Sequence, residues 1–180
     1  MSLADAMLRR RSWPAVTDAA PTHDQLVPLV EAAASVADHA SLRPWRLIEL
    51  RGHARVRLGA ALVEATGLEG AAAEKLAAKP LRAPLLIAVV SCHKPSIKVP
   101  DWEQDAVAAG VGHVLSALLD DAGWGVMWRT GHQTRTEPVS RVHELTPSET
   151  LLGWLYVGGK TDRILPPRRP FDASEVLSEL

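Results

Sequence analysis

Between residues 104 and 122 the chain offers water almost no face. Val107, Val111, Val114, Leu115, Leu118 and Leu119 are set among Ala106, Ala108, Ala109, Gly110, Gly112 and Ala117. A helix that is apolar nearly all round has to be covered on most of its sides. Its small residues also let another backbone approach closely. The segment therefore predicts the central helix of a core, part of a large interface between two copies of the chain, or both. A length of 180 residues fits one domain, taken as residues 1–180, and a chain of that size buries roughly 70% of its unfolded surface.

Around this helix the pattern alternates. Helices are predicted over 2–11, 24–37, 54–66 and 70–79. Thr22 or Asp24 is available to cap the second, with Leu26, Leu29, Val30 and Ala33 on one face, and Gly67 and Pro80 end the third and fourth. Apolar runs over 45–50, 85–92, 125–130 and 151–158 predict strands. Helices and strands in this order give an α+β or α/β sandwich. Beyond Leu165, the prolines Pro166, Pro167 and Pro170 predict an extended tail, with a last helical turn over 172–180.

Composition excludes several functions. The 47% hydrophobic and 23% charged content is that of an ordinary globular protein. No apolar run reaches the ~20 residues of a membrane span. Asp5 and Arg9, Arg10 and Arg11 interrupt any secretory leader, so a cytoplasmic location is expected. Cys92 is the only cysteine, which rules out an internal disulfide and a thiolate cage. It ends an apolar run and reads as a buried, inert thiol. The seven histidines show no zinc spacing, and no Gly-x-Ser-x-Gly elbow is present. Gly153, Gly158, Gly159 and Lys160 imitate a phosphate-binding loop, but the extra glycine displaces the lysine by one position and the intervening residues suit a buried strand.

Positive charge is instead local. The net charge is −1, yet Arg9-Arg10-Arg11-Ser12 and Trp128-Arg129-Thr130-Gly131 concentrate cations and hydroxyls far apart in the chain. Forked guanidinium groups beside a hydroxyl suit a phosphate or another compact anion, whereas a nucleic-acid surface carries a broad basic excess. For Arg10 and Ser12 an exposed pair at a helix end is the alternative. His39 stands in a loop with Ser41, Arg43, Pro44 and Trp45 and suits either a cap or a ligand contact. Glu103 opens the buried helix, where its charge favours the N-terminal dipole. Gly123 and Gly125 bracket Trp124 and mark a turn of close backbone approach.

The order Arg10-Arg11-Ser12, Pro21-Thr22, Asp38-His39-x-Ser41-x-x-Pro44-Trp45, Arg82-Ala83-Pro84, Lys98-Val99-Pro100-x-Trp102-Glu103-Gln104 and Trp128-Arg129-x-Gly131 resembles the flavin-dependent nitroreductase family, in its short bacterial NAD(P)H branch. The resemblance covers residues 7–160. It implies an α+β three-layer sandwich, a central mainly antiparallel sheet flanked by helices. It also implies a homodimer with one FMN per subunit at the interface and NADH or NADPH as co-substrate. Carried over by position, Arg10, Arg11, Ser12 and His39 contact FMN, as do Trp128, Arg129 and Thr130, and Arg43 lies near the flavin. The stretch Leu118, Leu119, Asp120, Asp121, Ala122 and Gly123 is associated with the nicotinamide cofactor. Ser35 departs from the pattern, standing where the branch tends to place a phosphate-binding arginine, with Arg168 or Arg169 as possible replacements. Pro14 also replaces a more polar residue.

The implied activity is ping-pong hydride transfer from NAD(P)H through FMN to a nitroaromatic, quinone or similar acceptor, with no single acid or base residue required. Trp102 or Trp124 is a candidate wall of the acceptor pocket. A flavin-storing or flavin-sensing protein is the alternative, and reduced-flavin chemistry with oxygen is a third.

Overall fold

The computed structural model describes residues 2–167 and 170–180. Helices Leu3–Arg9 (α1) and His23–Ala33 (α2) precede strand Trp45–Leu50 (β1), then helices His53–Glu64 (α3) and Gly70–Ala77 (α4) and strand Leu85–Cys92 (β2). The long helix Asp101–Asp121 (α5) leads into strand Trp124–Arg129 (β3), helix Glu137–Val142 (α6) and strand Glu149–Gly159 (β4). The four strands form one antiparallel sheet in the order β1-β2-β4-β3.

Central strand β2 explains the architecture. Leu85, Ile87 and Val89 point into one apolar cluster, with Leu26 and Ala33 of α2 and Val111, Leu115 and Leu119 of α5. Leu86, Ala88 and Val90 point into the other, with Leu58, Ala61 and Leu62 of α3, Leu76 of α4 and Val139 of α6. Both faces of β2 are covered, so its sequence is a continuous apolar run rather than an alternation. The result is a three-layer α+β sandwich, as the sequence predicts.

Local chemistry sets the element ends. Ser2 and Asp5 cap α1 reciprocally, as Thr22 and Gln25 cap α2. Gln104 is wholly buried and pins the loop before α5: its amide donates to the carbonyls of Lys94 (2.9 Å) and Val99 (3.2 Å) and its oxygen accepts from the Lys94 N–H at 2.8 Å. On α5, Gly112 faces β3 with no side chain, and a Cβ there would stand 2.1 Å from Cζ3 of Trp128. The indole therefore lies against bare helix backbone, stacked on His113 at 4.9 Å.

The outline read from sequence needs local corrections. The first helix spans only Leu3–Arg9 and the second stops at Ala33, while β4 begins at Glu149. Helix α6 is absent from the sequence reading, because six residues with Pro138 inside carry too little periodicity to register. The tail over 172–180 is not helical beyond a 3-10 turn at Ala173–Glu175; its apolar Val176, Leu177 and Leu180 are exposed and find no core to pack on. Among the described residues no helix is long and apolar enough to cross a membrane.

One polar cluster ties β1, β2 and β4 at their shared end. Arg46 grips Glu149 through Nε at 2.6 Å and Nη2 at 3.0 Å, and the Cys92 thiol donates to the same carboxylate at 3.3 Å. Arg46 lowers the Glu149 carboxyl from 4.5 to about 2, while burial and that carboxylate push the Cys92 thiol up to about 11. Cys92 thus remains protonated, but it is half-buried rather than buried as the sequence reading had it. A depressed carboxyl pKa stabilises the fold above the unfolded value, so stability should fall as pH drops from 4.5 toward about 2. In urea titrations Arg46→Met should lose about 2 kcal/mol near neutral pH, held down by the partial exposure of Arg46. It should also flatten that acid limb.

Candidate functional site

Strands β3 and β4 build the floor of a cavity of about 320 Å³ on the α3–α4 side of the sheet. Cross-strand partners in an antiparallel pair share a face. Arg129 opposes Trp154 and Met127 opposes Tyr156, and all four line the cavity. That arrangement depends on an irregularity in β4. Its register with β2 slips between Val89 and Val90, and Leu151 and Leu152 are directed to opposite clusters before Trp154 and Tyr156 return to the face of Leu151. An unbroken strand would place Trp154 and Tyr156 with Leu152, against α5. Gly153 occupies the irregularity with φ +154°, and a Cβ there would lie 2.6 Å from the Arg129 carbonyl oxygen. Only glycine suits both constraints.

Three cations meet above this floor: Arg129, Lys79 and Arg82, the last two from the 3-10 turn at Lys79–Arg82 that follows α4. Among the described residues no carboxylate lines the cavity. The Arg129 guanidinium lies 5.1 Å over the Tyr156 ring, and its Nε is buried without a hydrogen-bond partner among the described residues. A buried charged donor left unpaired is costly. The geometry suits an anionic ligand that satisfies it, with Trp154 and Tyr156 offering flat apolar surface to a ring. Burial raises the Tyr156 phenol pKa, opposed by Arg129 and Arg82, so the hydroxyl stays a neutral donor. Sequence reasoning found Trp128, Arg129 and Thr130, which line the cavity together, but gave no site role to Lys79 or to Arg82, named there only within Arg82-Ala83-Pro84. The signal for these two was the cationic turn between a helix ended by Pro80 and the apolar β2 run.

Residues 7–159 match the Nitroreductase family. The chain belongs to that family. It is 31% identical over 161 residues, 88% of each chain, to the Escherichia coli (strain K12) protein named "Putative NAD(P)H nitroreductase YdjA". The nitroreductase-like family protein from Bacillus cereus superposes with a TM-score of 0.87 at 21% identity, over 100% of this chain and 96% of that one. The FMN- and NADPH-dependent nitroreductase NfnB from sphigopyxis sp. strain HMH superposes at 0.73 with 17% identity, over 100% and 99%. These two likenesses establish the nitroreductase-like fold.

Within this family member the remaining sequence candidates are spread out. Ser12 pairs in parallel with Val126, and the Trp13 N–H donates to the Val126 carbonyl at 3.0 Å, so the Arg10-Arg11-Ser12 segment runs beside β3. Arg10 closes α1, its N–H on the Ala6 carbonyl. Arg11 donates to the Pro166 carbonyl at 2.6 Å and fastens the tail. None of the three lines the cavity of Arg129. His39 and Arg43 precede β1, the opposite edge strand: His39 meets Glu103 of α5 at 2.9 Å, and Asp38 holds the Arg43 N–H at 2.7 Å. They share neither cavity lined by Trp128 and Thr130.

Leu118 to Gly123 end α5. Leu119 is fully buried in the core, Asp120 pairs with Lys160 at 3.2 Å and Asp121 with Arg9 at 3.6 Å, while Ala122 and Gly123 form the exposed turn into β3. Only Leu118 and Asp121 of this stretch line a groove, which is apolar and lies between α1 and α5 with Ser35 and Val36. Ser35 is therefore part of that groove rather than of the cationic cavity. Trp102 lines an open cleft with His113, Trp128 and Thr130, on the α5 side of the sheet; Trp124 packs against the core instead. Arg168 and Arg169 lie outside the described residues.

Because Gly153 fixes the join of β3 and β4, Gly153→Ala should destabilise the protein by about 2–3 kcal/mol in urea unfolding. It should also shift the indole signals of Trp128 and Trp154. An unchanged stability and spectrum would show that the close contact relaxes freely.

Proposed function

We propose that the protein is an FMN-dependent oxidoreductase that carries hydride from NADH or NADPH to a nitroaromatic, quinone or similar acceptor in ping-pong order. The observation that carries this reading is the Arg129 cavity: a guanidinium whose buried Nε has no partner, with Lys79 and Arg82, aromatic walls and no lining carboxylate among the described residues, in a member of the nitroreductase family. Relatives named as NAD(P)H nitroreductases, and a fold neighbour named as FMN- and NADPH-dependent, support it.

Hydride acceptance and donation are the chemistry that bound FMN supplies. The chain's residues bind and orient. Arg129, Arg82 and Lys79 would hold negative charge on the ligand, placed before the reaction and needing no reorganisation. Trp154 would exclude water from the ring, and Tyr156 would donate a hydrogen bond. Arg10 and Ser12, beside the same strand, would take the phosphate.

His39 and Arg43 stand at the other edge of the sheet in the same chain, and a second copy is the economical way to bring them to this ligand. We therefore include a homodimer in the proposal, with the apolar α1–α5 groove and the half-buried Val114, Ala117 and Leu118 as its contact surface. A nicotinamide-fed enzyme of this kind would work in the cytoplasm, where those nucleotides are supplied.

The direct test is the visible spectrum of the purified protein after mixing with FMN and desalting. Retained flavin bands are expected, with sedimentation as a dimer and parallel-line kinetics for NAD(P)H and acceptor. Arg129→Ala should weaken FMN binding by roughly 10- to 100-fold, the loss of one or two charge-assisted hydrogen bonds, and Arg10→Ala should do the same with little change in unfolding midpoint. A colourless wild-type protein would overturn the reading. Full occupancy with very slow reduction by both nucleotides would favour flavin storage instead.

A further inference from the structure

Behind the cavity, Trp154 makes a hydrogen bond that the proposed reaction does not use. Its indole Nε1–H donates to Nε2 of His143 at 3.0 Å, and the other ring nitrogen, Nδ1, lies 2.8 Å from the Val139 carbonyl. An indole N–H and a carbonyl can be served together only by a neutral imidazole that carries its proton on Nδ1. Both partners are buried, His143 being 3% and Trp154 5% exposed. The imidazole is thus locked in one tautomer, and the tryptophan on the cavity wall is locked with it.

We propose that His143 is a positioning residue for the cavity. By accepting the Trp154 N–H it holds that indole as a rigid back wall for a planar ligand, and protonation of the imidazole releases the wall. The inference rests on the flavin reading above, because the wall matters only if a ring packs against it.

The surroundings favour the neutral form. From β1, Arg46 donates to the His143 carbonyl at 3.3 Å and its charge opposes a second cation, while Glu149 of β4 is already engaged by Arg46 and by Cys92 of β2. Arg57 of α3, Glu49 of β1 and Glu144 line a small polar cavity with His143. Glu49 is held by His23 and Arg51, and Arg141 of α6 is held by Glu137 and Glu64. Among the described residues no carboxylate bonds the imidazole. Burial, the largest cause, and Arg46 lower its pKa, with the Val139 bond opposing. A lowered pKa in the folded state means that the neutral arrangement is stable above the ordinary histidine value and is lost as pH falls below it.

The test uses full-length protein labelled with ¹⁵N at the tryptophan indoles, with the Trp154 signal assigned by its loss in Trp154→Phe. That signal and the FMN dissociation constant are followed between about pH 5 and 8. In wild type the indole signal should move in one step on the acid side, and FMN affinity should fall about tenfold over the same step. His143→Gln keeps an acceptor that does not titrate, so it should retain the neutral-pH affinity and lose that step. The ligand's own phosphate titrates alike in both proteins. His143→Leu should bind weakly at every pH. Matching pH profiles in wild type and His143→Gln would overturn the proposal, as would an indole that titrates while affinity stays flat. Failure of the flavin reading has a separate signature: an intact indole step with no FMN bound at any pH, an outcome that removes the positioning role as well.

Discussion

The cationic cavity depends on a one-residue slip in β4. Side chains on a strand alternate strictly, so every residue beyond an irregularity changes face. At Leu152 and Gly153 the slip transfers Trp154 and Tyr156 to the α3–α4 side, opposite Arg129 and Met127. Glycine is demanded there twice over, by its positive φ and by the Arg129 carbonyl 2.6 Å from where a Cβ would lie. The same close approach brings the end of β3 onto β4, and Gly112 lets the Trp128 indole sink against α5 on the other side. Two missing side chains thus hold the three residues Trp128, Arg129 and Thr130 in one place. Irregularities of this kind recur beside active sites because they re-aim side chains without disturbing the rest of the sheet.

What the sequence made legible follows from length and periodicity. The uninterrupted apolar run of β2 could belong only to an element covered on both sides, and it lies at the centre of the sandwich, whereas the all-round apolar α5 packs one face on the sheet and leaves Val114, Ala117 and Leu118 half-buried on its outer side. The short α6 was not legible, since six residues cannot display a helical period. The tail misled for the opposite reason: Val176, Leu177 and Leu180 have helical spacing, yet spacing stabilises nothing without a surface to bury it, and all three are exposed.

The site was legible only in part. Arg129 stood out because it sits beside Trp128 and Thr130 in the chain, whereas Lys79 and Arg82 reach the cavity through folding of the turn after α4. His143 carried no signal at all. Its role depends on a bond to Trp154, eleven residues away, and on a carbonyl one helical turn back. Ser35, one of the two departures from the resemblance noted in the sequence, lies in the apolar groove between α1 and α5. An arginine there would have to reach out of that groove to serve a phosphate.

The charges themselves separate structure from site. Basic and acidic residues nearly balance, 20 against 21, so an unpaired cation is not a consequence of excess. The acids are distributed to particular partners: Glu149 to Arg46, Glu49 to Arg51, Glu64 and Glu137 to Arg141, Asp120 to Lys160 and Asp121 to Arg9. The Glu149–Arg46, Glu64–Arg141 and Asp121–Arg9 pairs join separate elements, whereas Glu49–Arg51 and Glu137–Arg141 are local. Among the described residues Arg129, Arg82 and Lys79 receive no acid, although a carboxylate on β4 in place of Tyr156 would have paired with Arg129. Placing an aromatic ring there instead leaves the charge available to a ligand while its face still attracts the guanidinium. Unmatched cations over an aromatic floor cost stability in the empty protein, and an anion carrying a flat ring is the kind of molecule whose binding would recover it.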